Sequence, residues 1–185
     1  VALGIHPANT SVNPDLIYEN LYKWIENKQI IAIGEIGLEN LTDSEIAIFK
    51  KQLDIGEETK TKVIVHTPRK NKKEVLKVIQ DIVPQHIDPK LVVIDHINQN
   101  VAEDVIDKDY TLGLTVHPQK MDKEEAIAIL DEYGFDKFLL NSDISNKPSD
   151  PLSVPKTVRE LEKLGYKKTE IEKVAFKNAE KFFKI

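Results

Sequence analysis

The sequence predicts a parallel α/β fold of the (β/α) barrel type, incomplete, with about six of eight βα units. Three observations lead there. Six apolar, β-prone runs recur along the 185 residues. Amphipathic helical patterns fill the intervals, and strand starts lie about 20 to 32 residues apart, the length of a βα unit. The runs also end in residue types that bind metals, which favours a barrel over an open doubly wound sheet.

In order, VALGI (1–5) reads as the first strand, followed by a helix in NPDLIYENLYKWIENK with Pro14 at its first position. IIAIG (30–34) is the second strand. LTDSEIAIFKKQLDIGEETK is its helix, with Thr42 and Glu45 in capping-box spacing. KVIV (62–65) leads to KNKKEVLKVIQDI (70–82), and LVVI (91–94) to NQNVAEDVIDK. TLGLTV (111–116) is followed by MDKEEAIAILDEYG, a helix stopping at Gly134, and KFLLN (137–141) is the sixth strand. Two closing helices are expected around 152–164 and 168–184, with Ile171, Val174, Ala175 and Phe182 on one face.

With 41% hydrophobic and 31% charged residues, the composition is that of an ordinary globular domain, and residues 1–185 read as one domain. No run approaches the roughly 18 apolar residues of a membrane span, and no signal-peptide pattern is present, so a cytoplasmic location is expected. The absence of cysteine excludes disulfides, thiolate metal sites and cysteine nucleophiles. A net charge of −5 argues against broad electrostatic affinity for nucleic acid. Neither GxGxxG nor GxxxxGK[ST] follows any strand, which disfavours an open-sheet nucleotide-binding domain.

The strands lead into His6, Glu35, His66, His96, His117 and Asp143. In a parallel fold the C-terminal strand ends form one face, so residues remote in sequence converge there. Imidazoles and carboxylates without thiols suit Zn²⁺, Mn²⁺, Fe²⁺ or Ni²⁺, whereas Mg²⁺ and Ca²⁺ prefer all-oxygen shells. A metal-bound water of lowered pKa would supply hydroxide for hydrolysis. His6 and His117 both precede proline and are expected to line the site, with ligation assigned first to His66 and His96. Asp95 reads either as a carboxylate that supports a ligand or, because neighbours on a strand point to opposite faces, as a structural residue turned away from His96, and Glu39 reads as a loop acid. Arg69 either neutralises an anionic substrate or is solvated within the basic PRKNKK run. His86, in the proline-punctuated VPQHIDP, is expected to face solvent.

The motifs GIHP (4–7), IGEIGLE (33–39), Phe49-x-x-Gln52-Leu53, VHTPR (65–69), DH (95–96), NSD (141–143) and NAEKFF (178–183) occur in the order found in TatD-like metal-dependent hydrolases, which the chain resembles along its whole length. The resemblance implies an amidohydrolase-type TIM barrel with one or two divalent ions (Zn, Mn, Fe, Ni or Mg). Glu35, His66, His96 and Asp143 would be the metal ligands, and Glu35 and Asp143 the catalytic carboxylates. It implies a nucleic-acid or small-molecule phosphoester substrate, as in the family's metal-dependent deoxyribonucleases. The chain departs from the family in reading NSD where ETD is common, and His66-Thr-Pro-Arg69 for the usual His-x-Arg. It also lacks the amino-terminal His-x-His segment, so a domain truncated at the amino terminus is expected, one whose metal binding and activity that loss would weaken and whose exposed sheet edge is open to self-association. Two alternatives stand beside the phosphoester hydrolase. One is an amide or cyclic-amide hydrolase with the same centre; the other is a non-catalytic, degenerate barrel that binds an anion or a partner protein.

Overall fold

Strand and helix alternate as the apolar periodicity requires in the computed structural model, which describes residues 1–144 and 148–185. The chain divides into two compact units, Val1–Ile94 and Asp95–Ile185.

In the first unit, strands β1 (Ala2–Leu3), β2 (Ala32–Gly37), β3 (Lys62–His66) and β4 (Val92–Ile94) pair in parallel in that order. Helices α1 (Pro14–Glu26), α2 (Asp43–Thr59) and α3 (Lys72–His86) connect them. Ile33, Val63, Val65, Val92 and Ile94 are buried with Leu21, Phe49, Leu53, Leu76 and Ile79 from the helices. Each large apolar side chain so buried contributes about 1.5–3 kcal/mol. Asn13 caps α1 through the Asp15 N–H, and Thr42 caps α2 through the Glu45 N–H.

Two local features differ from the sequence-based expectation. Strand β2 does not stop at Gly34 but runs through Glu35 to Gly37. Between the pairs Ile33↔Val63 and Ile36↔Val65 it carries one residue more than β3, a bulge that re-aims Glu35. Helix α3 continues to His86 with Pro84 inside it, because the buried Ile82 and Val83 hold its last turn to the core. His86 is therefore half-buried rather than solvated, and its Nδ1 lies 2.7 Å from Asp54 Oδ1.

In the second unit, β5 (Thr111–Thr115) pairs in parallel with β6 (Phe138–Asn141). The helices are α4 (Gln99–Val105), α5 (Lys123–Tyr133), α6 (Ser153–Lys163), α7 (Lys168–Glu172) and α8 (Asn178–Phe183), with a π-helical stretch, Lys173–Lys177, between the last two. Asp122 caps α5 through the Glu125 N–H, and Gly134 ends it at φ 81°. Ile171, Val174 and Phe182 are buried, as their spacing predicts, whereas Ala175 on the same expected face is only half-buried. Asn178 ties this end down: its Nδ2 donates to the carbonyls of Phe135 and Phe138, both at 2.8 Å. Among the described residues no helix is long and apolar enough to cross a membrane.

Candidate metal centre

The first unit brings His6, Glu35 and His66 together, with one ligand atom of each lying within 4.8 Å of the others. Each arrives by a different local device. His6 follows β1 in the extended conformation that proline imposes on its predecessor, at φ −69° and ψ 145°. Gln52 of α2 clamps the adjacent Ile5, accepting its N–H at 2.6 Å and donating to its carbonyl at 3.2 Å. Glu35 sits on the β2 bulge, and His66 is the last residue of β3. Gly37 lets β2 pass close by, since a Cβ there would fall 2.5 Å from the His66 carbonyl oxygen and its φ is 151°.

Proton positions follow from the partners. His66 Nε2 lies 2.9 Å from Glu39 Oε2, and a carboxylate only accepts, so Nε2 carries the hydrogen. In the neutral ring the Nδ1 lone pair then faces Glu35 Oε1 at 3.8 Å. Both of those atoms are buried, and neither makes a hydrogen bond. Two ligands of one divalent ion lie roughly 3–4 Å apart, so the pair suits a cation between them. Glu39 is thus more than a loop acid: it fixes the His66 ring as carboxylates commonly fix metal-binding histidines. His6 is held the other way. Its Nδ1 accepts the Ala8 N–H at 3.1 Å, so the neutral ring presents Nε2–H as a donor, and its centroid lies 4.6 Å from that of His66.

The loop carrying Glu39 is organised by Glu45. Its buried carboxylate accepts the N–H groups of Glu39, Asn40 and Leu41 at 3.0, 2.8 and 3.0 Å. Burial alone would raise this carboxyl's pKa, but the three amides and the Asn40 side chain outweigh it and lower it. Only half of the expected capping box forms, because the Glu45 carboxylate reaches past Thr42 to these amides.

The second unit builds a relay around His96, two residues beyond β4, whose φ is 63°. Asp95 Oδ1 accepts the His96 N–H at 2.8 Å, the Thr115 hydroxyl at 3.2 Å and Asn141 Nδ2 at 2.8 Å. Thr115 Oγ1 in turn lies 2.7 Å from His96 Nδ1. With the hydroxyl proton committed to Asp95, Nδ1 donates and Nε2 offers its lone pair. Asp95 therefore does not point away from His96: the left-handed backbone at His96 breaks strand alternation, and both side chains meet at Thr115. Lys120 Nζ lies 2.8 Å from His96 Nε2 and 2.7 Å from Asp143 Oδ2. Asp143, two residues beyond β6, also has a positive φ, 43°.

His117 is buried and accepts the Gln119 N–H at Nδ1, 3.1 Å, repeating the His6 arrangement. Arg69 is exposed on the turn before α3. Thr115, Lys120, Gln52 and Glu45 complete the surroundings without having stood out as site residues in the sequence. Thr115, as the polar end of a buried strand, carried the clearest hint.

A family model described as "TatD related DNase" matches residues 1–184. A protein of Methanocaldococcus jannaschii described as an uncharacterized metal-dependent hydrolase is 36% identical over 190 residues, covering 100% of this chain and 74% of that protein. Among solved structures, a TatD-like protein from Archaeoglobus fulgidus aligns with a TM-score of 0.77 and 34% identity, over 100% of this chain and 71% of the other. A TatD homologue from Escherichia coli aligns at 0.74 with 20% identity, over 100% and 76%. The latter likeness bears on the fold, which is that of the TatD-type (β/α) barrels.

Proposed function

Since the chain belongs to the TatD family of metal-dependent hydrolases, we propose that residues 1–185 are part of one hydrolase domain that cleaves phosphoester bonds with one or two divalent ions, the ligands being Glu35 and His66 in the first unit and His96 and Asp143 in the second. The observation that carries this reading is the facing pair of Glu35 Oε1 and His66 Nδ1, two buried atoms at ligand spacing with a ring orientation fixed by Glu39. The family description supports a phosphoester, and nucleic acid is one such substrate.

A bound divalent ion supplies Lewis acidity and an acidified water. The chain's own groups supply the rest. His6 presents Nε2–H to a phosphoryl oxygen as negative charge grows there. Asp143 offers a carboxylate that accepts a proton from the attacking water. Asp95 and Thr115 hold His96 with its Nε2 lone pair outward, and Glu39 does the equivalent for His66.

The test is calorimetric titration of this chain, His66→Ala and His96→Ala with Mn²⁺ and Zn²⁺, followed by a substrate panel. Removing either histidine should weaken binding at least tenfold. Loaded protein should hydrolyse bis(p-nitrophenyl) phosphate or single-stranded DNA in preference to a cyclic amide. Preference for the amide would reassign the substrate class. Metal binding with no turnover on either class would favour a non-catalytic binder.

A further inference from the structure

We propose that Lys120 is a resident cation of the His96–Asp143 pair, which a divalent ion must displace before it can bind there. The inference rests on the reading above in taking His96 and Asp143 as ligands.

The Lys120 ammonium lies 2.8 Å from His96 Nε2 and 2.7 Å from Asp143 Oδ2, so one positive charge bridges an imidazole lone pair and a carboxylate. A divalent ion would use the same two atoms, at about 2.0–2.2 Å. Metal and ammonium therefore cannot occupy the pair together. The lone pair is fixed by chemistry independent of Lys120: the Thr115 hydroxyl donates to Asp95 and accepts the Nδ1–H, and Nε2 is left as acceptor.

Lys120 is delivered there by a built turn. Its N–H donates to the His117 carbonyl at 2.9 Å, and the His117 ring accepts the Gln119 N–H within the same turn. His117 also bridges to Met121, which fixes the turn's base. The Lys120 side chain is only 15% exposed, and the Asp143 carboxylate pairs with its charge while His96 Nε2 accepts a hydrogen bond from it. It has somewhere to go: Lys120 and His117 line a cavity of about 610 Å³ together with Gln119, Ser153 and Lys156. Rotation of its flexible stem into that space would uncover both ligand atoms without moving the backbone.

Lys120 thereby tunes the pair's affinity for metal. The pair is neutralised when no metal is bound, and the ammonium's departure is part of each binding event. Lys120→Met keeps the stem's length and apolar contacts and removes the charge, whereas Lys120→Arg keeps the charge.

The experiment is calorimetric titration with Mn²⁺ and Zn²⁺ of the wild-type chain, Lys120→Met, Lys120→Arg, and Lys120→Met combined with His96→Ala, with circular dichroism confirming folding of each. Lys120→Met should bind tenfold tighter or more, or gain a site, while Lys120→Arg should not. The gain should vanish in the double variant, which places it at His96. Wild-type binding with an unchanged or weakened Lys120→Met would overturn the proposal and leave the metal reading standing. A gain that survives His96→Ala would also overturn it. No binding by any variant would overturn both.

Discussion

Replacing Gln52 by leucine tests whether the site is positioned by the helix behind it. Gln52 is fully buried in α2 and serves the Ile5 amide from both sides, accepting its N–H at 2.6 Å and donating to its carbonyl at 3.2 Å. Leucine has nearly the same volume, so no large cavity opens, and the loss is one of hydrogen bonding. A buried donor or acceptor deprived of its partner costs about 1–3 kcal/mol. Two of them, less about 1 kcal/mol for the better transfer of an apolar side chain, give a destabilisation of about 1–5 kcal/mol. For a chain of this size that is roughly a 2–20 °C fall in Tm. Urea unfolding should show a lower midpoint with an unchanged slope. Gln52→Glu should cost more at neutral pH, because its carboxylate serves the Ile5 N–H but offers nothing to the carbonyl and buries a charge. A cost below about 1 kcal/mol for Gln52→Leu would refute the clamp.

Glu45→Gln should cost about 1.5–3 kcal/mol at pH 7, as hydrogen bonds to a charged acceptor do. Because the folded carboxyl lies below its ordinary value, its stabilisation is complete above about pH 4.5 and is lost as pH falls through the folded value. The gap between wild type and variant in urea titrations should therefore narrow between pH 5 and pH 3, and a constant gap would count against the amide cradle. Gly113→Ala would place a Cβ 1.9 Å from Asp95 Oδ1, so Asp95 must leave Thr115 and Asn141. Metal affinity should drop tenfold or more in the folded variant, and wild-type affinity would show that the relay does not orient His96. Asn178→Ala removes two 2.8 Å bonds to the Phe135 and Phe138 carbonyls and should cost about 1–3 kcal/mol by thermal melting.

The alternation of strands and helices was legible because apolar periodicity differs so plainly between them, and Thr42 and Gly134 mark helix ends by chemistry that needs no tertiary context. The meeting of His6, Glu35 and His66 was legible for a related reason, since parallel strands deliver their ends to one face. Glu35's place inside β2 was not, because a bulge adds a residue without a compositional mark. The direction of Asp95 was misjudged from strand alternation, which fails where His96 turns left-handed. Gln52 and Glu45 were hidden differently: a glutamine or glutamate within an amphipathic helix reads as surface until its backbone partner arrives from another element.

The four strand-end histidines fall into two kinds, and hydrogen-bond partners decide which. In His6 and His117 a backbone N–H two residues on occupies Nδ1, so the neutral ring offers a proton at Nε2. Both precede proline, whose restriction of the histidine backbone favours that turn. In His66 and His96 the ring N–H donates to a carboxylate, directly to Glu39 or through the Thr115 hydroxyl to Asp95, which leaves a lone pair on the other nitrogen. Only a lone pair can bind a cation, and only an N–H can meet an anion. The same residue type thus supplies lone pairs suited to a cation and N–H groups suited to an anion. Asn141 belongs to this logic as well: its amide donates to Asp95, where a glutamate would repel it, so an acidic residue at that position would loosen the carboxylate that fixes His96.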